Sequence, residues 1–102
     1  MIEVDIDIEE GVGTVKPQED IDLTNAEELK DRVVELLDKD VTDIILDLNN
    51  VEKIDSSGLG KILLFEKMVE ENEGEFTIIN VNSDYINKVF KTIDLEGVVN
   101  IE

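Results

Sequence analysis

The 102-residue chain contains no cysteine, no histidine and no tryptophan, and only one proline. Without cysteine there is no disulfide framework, thiol nucleophile or thiolate metal site, and without histidine the commonest general base and metal ligand is missing. Most hydrolase triads and zinc mechanisms are thereby excluded. Cations are scarce as well: nine Lys and Arg stand against 27 Asp and Glu, a net charge of −18. Contacts to phosphate backbones need clustered Lys and Arg, so nucleic acid is not an expected partner, and an anionic membrane surface is disfavoured for the same reason. No apolar run approaches the ~20 residues that span a bilayer. Met1-Ile2-Glu3-Val4-Asp5 offers neither the basic nor the apolar region of a signal peptide, which sets the expectation of a cytoplasmic protein without membrane insertion.

Few aromatics and dense charge are also marks of disorder, but the hydrophobic 41% of the chain falls in clear periods. Ile2, Val4, Ile6 and Ile8 alternate with Glu3, Asp5, Asp7 and Glu9, the period of a strand with one buried and one wet face. Gly11 and Gly13 permit a turn into a second strand, 12–17, closed by Pro17, which cannot donate to a ladder. Thr24-Asn25-Ala26-Glu27 has the form of a capping box. It predicts a helix over about 24–38 whose apolar stripe is Ala26, Leu29, Val33, Leu36 and Leu37. Ile44-Ile45-Leu46-Asp47-Leu48 suits a central strand. A second helix carrying Leu59, Ile62, Leu63, Phe65, Met68 and Val69 is expected to run to about Asn72, stopped by Gly74. A strand over 76–81, a short helix capped by Ser83 or Asp84 and a small last strand over 98–101 complete the order ββαβαβαβ. The length fits one domain. The expected fold is α/β: a mixed sheet of four to five strands with helices mainly on one face, because right-handed crossovers keep successive helices on the same side.

Two acidic clusters bear on chemistry. Asp5 to Lys16 imitates a calcium loop, but its glycine falls at the seventh position and lysine occupies the twelfth, where a bidentate glutamate is required. These acids are better explained as the wet face of the first strand, and no metal site is assigned. Asp20, Asp22 and Asp55 supply oxygens suited to magnesium, yet carboxylates before helix N-termini ordinarily act as caps. Asp55-Ser56-Ser57-Gly58-Leu59-Gly60 is the most informative segment. It places two hydroxyls and two glycines at a helix start, although glycine is costly inside a helix. By spacing alone Asp55 or one serine is the helix cap, with the glycines allowing close packing. A serine nucleophile is excluded, since Gly-x-Ser-x-Gly and histidine are both absent. No Gly-x-x-x-x-Gly-Lys-Ser/Thr phosphate loop is present either. A phosphoryl group on a serine here would nevertheless meet free N–H donors and the positive end of the helix dipole, and Gly58 and Gly60 would leave that serine open to another protein's active site.

This hexamer, following Ile44-Ile45-Leu46-Asp47-Leu48, resembles the signature of bacterial anti-sigma factor antagonists, which are stand-alone STAS domains. Asp20-Ile21-Asp22 before Asn25-Ala26 is similar to the family's acidic loop, and Val89-Phe90 with Ile93 and Leu95 to its C-terminal pattern. Glu19 stands where the family commonly has glycine. The resemblance implies partner switching in transcription regulation: the unphosphorylated protein binds an anti-sigma factor that is also a serine kinase, freeing a sigma factor, and a serine phosphatase reverses the kinase. It maps the phosphorylated serine onto Ser56 and the partner surface onto Asp20, Asp22, Asp55, Ser56, Ser57, Gly58 and Leu59. It implies no cofactor, no metal and no catalytic residue. Two other readings stand beside it. One is a STAS scaffold module of a stress-signalling or transporter-associated complex. The other is a small enzyme with Asp22 and Asp55 as a carboxylate pair, which requires the two within ~5.5 Å and one pKa strongly raised.

Overall fold

The computed structural model describes all 102 residues. Two strands, β1 (Ile2–Asp7) and β2 (Val12–Pro17), form the expected hairpin. They are followed by α1 (Ala26–Asp38), β3 (Asp43–Asp47), α2 (Ser56–Glu71), β4 (Phe76–Ile79), α3 (Asp84–Thr92), a single 3-10 turn at Leu95–Gly97 and β5 (Asn100–Ile101). The five-stranded sheet has the order β1-β2-β3-β4-β5, with only the hairpin antiparallel. Because β2 to β5 are adjacent in chain order and parallel, their right-handed crossovers carry all three helices over one face.

That face holds the core. Val15, Leu46 and Ile78 lie in one row across the ladder, and Gly13, Ile44 and Phe76 in the next. Against them pack Leu29, Val33 and Leu36 from α1 and Ile62, Phe65 and Val69 from α2, within a single cluster of 20 buried residues. Phe65 meets Phe76 edge to face, with centroids 6.0 Å apart and planes at 74°. Truncating such a ring costs about 3–5 kcal/mol.

Four local expectations are corrected. The capping box does not form: α1 starts at Ala26 behind Asn25, and the Thr24 hydroxyl donates to Asp22. Gly74 does not end α2 through a left-handed conformation. Glu73 takes that role, at φ 62°, and Gly74 instead lets the chain approach β3, where a Cβ would lie 1.9 Å from the Thr42 carbonyl oxygen. β4 ends at Ile79 because Asn80 turns to φ 58°. The last strand is only two residues long, since the 3-10 turn absorbs the chain before it.

Candidate functional site

Ser56 opens α2 immediately after the connection that leaves the C-terminal end of β3. Val51 and Ile54 anchor this connection in the core, and Ile54 forms a parallel bridge with Ile21 in the loop before α1. Backbone bonds from Ile21 N–H to the Lys53 carbonyl (3.1 Å) and from Asp55 N–H to the Ile21 carbonyl (3.1 Å) hold the two segments together. The topology thus joins two loops some thirty residues apart in sequence.

Of the three acids predicted for the site, Asp20 and Asp55 secure this junction and Asp22 shapes the loop beside it. Asp20 Oδ1 accepts from the backbone N–H groups of Glu52 (2.9 Å) and Lys53 (3.0 Å). Asp55 accepts from Gly58 N–H through Oδ1 (3.1 Å), capping α2, and from Leu23 N–H through Oδ2 (3.2 Å). Asp22 closes its own turn, taking the Thr24 hydroxyl and the Thr24 N–H at 2.8 Å. The Thr24 hydroxyl, followed by its N–H, holds the Asp22 carboxyl below the ordinary range. A general acid needs the opposite shift, so Asp22 does not fit the acid of a carboxylate pair. Oδ1 of Asp20, Oδ1 of Asp22 and both oxygens of Asp55 answer N–H or hydroxyl donors, and no group of three acidic side chains converges as a cation site.

With Asp55 as the cap, neither serine is needed for it. Ser56 is exposed and Ser57 half-buried. Gly58 and Gly60, paired in the sequence reading, have different surroundings. Gly58 is buried, and a Cβ there would sit 2.6 Å from Ile54 Cγ1 and 2.7 Å from Ile21 Cγ2, so its small size seats α2 on the loop junction. At Gly60 a Cβ would meet nothing within 4 Å. Gly60 lies one turn below Ser56 on the same helix face and keeps that flank clear. Leu59 is half-buried against the core.

Other residues of the site escaped the sequence reading. Asn25 accepts from Asp22 N–H (2.9 Å) and donates to the Asp20 carbonyl (2.7 Å), which shapes the acidic loop. Ser83, the expected cap of α3, accepts from Ile86 N–H, and its unforeseen bond to the Glu52 carbonyl (2.6 Å) ties α3 to the connection. Leu23 is 78% exposed beside Asp55; an apolar residue between Asp22 and Thr24 with no periodic partner was the available signal. Lys61 bridges to Glu27 at 2.7 Å, linking α2 to α1, and this hydrogen bond lowers the Glu27 pKa. The largest depression, about 430 Å³, lies between α3 and β5 and contains none of these residues.

A family model described as the STAS domain matches residues 3–102. A protein of Thermotoga neapolitana that carries the name of an anti-sigma factor antagonist homologue is 33% identical over 95 residues, spanning 92% of this chain and 83% of its own length. The crystal structure of a Thermotoga maritima protein that carries the name of an anti-sigma factor antagonist, 28% identical, matches with a TM-score of 0.87 over 99% of this chain and 85% of that one. Unphosphorylated SpoIIAA, 17% identical, shares the fold at a TM-score of 0.77 over 100% of this chain and 87% of its own. Phosphorylated SpoIIAA from Bacillus, 19% identical, does so at 0.76 over 100% and 91%.

Proposed function

This chain belongs to the STAS domain family, and from that membership we propose that it acts as an anti-sigma factor antagonist in a partner switch. In this reading residues 1–102 form one cytoplasmic domain that is the substrate of a kinase and not itself a catalyst. With Ser56 unmodified, the surface formed by Asp20, Asp22, Asp55, Ser56, Ser57, Gly58 and Leu59 binds an anti-sigma factor with serine kinase activity, and the sigma factor is released. Phosphorylation of Ser56 ends the complex, and a serine phosphatase restores the binding form.

The observation that carries this reading is the freedom of Ser56. Its hydroxyl is exposed at a helix N-terminus whose capping role Asp55 already fills, with an open flank at Gly60. A phosphate there gains from the helix dipole, so the modified protein has no reason to unfold. It also adds about −1.5 to −2 charge beside Asp55 and the acidic loop. A partner that accommodates a neutral hydroxyl then meets bulk and repulsion, and a loss of about 3 kcal/mol weakens binding more than a hundredfold. The relatives named as anti-sigma factor antagonists support this assignment, as does the occurrence of SpoIIAA in both phosphorylation states.

The test is incubation of the purified protein with ATP and lysate of its own organism, read by intact mass and peptide mapping. Wild type and Ser57→Ala are expected to gain one phosphate and Ser56→Ala none. Ser56→Ala keeps its affinity for the partner, whereas Ser56→Asp loses it. Phosphate on Ser57 defeats the assignment, and its absence from every variant with the fold intact moves the function to a phosphorylation-independent STAS scaffold.

A further inference from the structure

β1 lies at the sheet edge and is bonded to β2 on one side only. Every second residue of the strand therefore turns its N–H and C=O away from the molecule. Ile2, Val4 and Ile6 oppose Pro17, Val15 and Gly13 on the helix face, where α1 covers the row only in part: Ile2 and Ile6 are half-buried against the core. Val4 is 40% exposed, and Ile8, just past the strand, is 87% exposed. Between β1 and α1 runs a groove of two adjoining depressions, about 350 and 320 Å³, that share Ile6 and Lys39. Its floor is apolar, and its far wall balances Arg32 against Glu35 on α1 and Lys39 against Asp40 in the loop after it. The opposite face of the same strand carries only acids, Glu3, Asp5 and Asp7.

This combination selects an occupant. A second copy is rejected, because antiparallel pairing of two β1 strands sets one acidic row against another, and directly opposed like charges are destabilising. We propose that the β1 edge docks an extended segment of a partner protein in which basic and apolar residues alternate. The segment adds a strand to the sheet through the free N–H and C=O groups of β1. Its apolar side chains enter the groove over Val4, Ile6 and Ile8, and its cations lie over Glu3, Asp5 and Asp7. The groove opens beside Gly11 and Val41, near the start of β3, whereas Ser56 follows the other end of that strand. This docking site is therefore separate from the Ser56 surface and does not depend on it.

The probe is a short peptide of alternating Lys and Val, N-methylated at every second residue so that it presents one edge and cannot stack on itself. Its control has the same composition with lysines and valines in separate blocks. At physiological ionic strength general attraction is largely screened, and the alternating peptide is expected to bind at least about tenfold more tightly than the block peptide. It slows hydrogen exchange at alternate amides of Ile2–Asp7. Replacing Glu3, Asp5 and Asp7 together by lysine reverses the preference toward an alternating Glu and Val peptide; Asp5→Lys alone shifts it the same way should the triple variant unfold. Equal affinity for the two lysine peptides, protection on another strand, affinity unmoved by the charge changes, or dimerisation of the wild type through β1 overturns the proposal.

Discussion

Gly60 and Gly74 show how one residue type answers opposite demands. At Gly74 the missing side chain admits the Thr42 carbonyl, which a Cβ would meet at 1.9 Å. The obstacle is backbone and cannot rotate away. Gly74→Ala is therefore expected to cost about 1–3 kcal/mol, the usual penalty of forced overpacking. At Gly60 nothing lies within 4 Å of the added carbon, and glycine in an exposed helix interior costs about 0.8–1 kcal/mol relative to alanine. Gly60→Ala should accordingly raise Tm by roughly 4–8 °C. Paired thermal melts check both, and a Gly60→Ala protein no more stable than wild type would mean that α2 is strained at that turn. A helix-breaking residue kept in an exposed helix next to Ser56 is consistent with a surface selected for access over stability.

At the scale of elements, α2 carries a conflict of its own making. Glu66 lies one turn before Glu70 on the same face. Partial burial first, then the charges of Glu70 and Glu75, hold its pKa above the ordinary carboxylate range. A carboxyl with a raised folded-state pKa binds protons more readily folded than unfolded. Its destabilising effect is thus absent in acid and develops as pH rises through the ordinary range to the raised value. Glu66→Gln should remove it, gaining a few tenths of a kcal/mol at neutral pH, about the size of one like-charge helix pair, and nothing in acid. Denaturant midpoints for both proteins across that range provide the measurement, and an equal gain at every pH would assign the effect to packing. Such local relations are also what the sequence disclosed best. The alternation of β1, the stripes of α1 and α3 and the Ser83 cap were all legible, because each depends on residues within a turn or two. The start of α1 was not. Asp22, Thr24 and Asn25 all offer oxygens there, and the choice among them is settled by bonds to Asp20 and Asp55 that the local pattern does not contain. The hexamer likewise identified a site but not its division of labour. That Asp55 also braces the acidic loop and that Gly58 packs against it follow from contacts with Leu23 and Ile21, more than thirty residues away.

For the whole molecule the dominant fact is a charge of −18 on a body of 34 × 28 × 20 Å. Only four ion pairs offset it, one of them through the terminal amine. Partly exposed pairs of this kind contribute about 0–1 kcal/mol each. The screening length is ~30 Å at 0.01 M salt and ~10 Å at 0.1 M. In dilute buffer each carboxylate therefore repels others across the entire molecule, and at 0.1 M only its neighbours. Salt screens the attractive pairs as well, but 27 acids against nine cations make repulsion the larger sum. Tm is consequently expected to rise steeply between these two concentrations and to level off above the second. With one sheet and one continuous core, the melt should remain a single transition at every salt concentration, with calorimetric and van't Hoff enthalpies equal. A Tm that falls with added salt would show that the few ion pairs outweigh the field. Two separable transitions would show that the hairpin, with its uncovered edge, unfolds apart from the parallel layer.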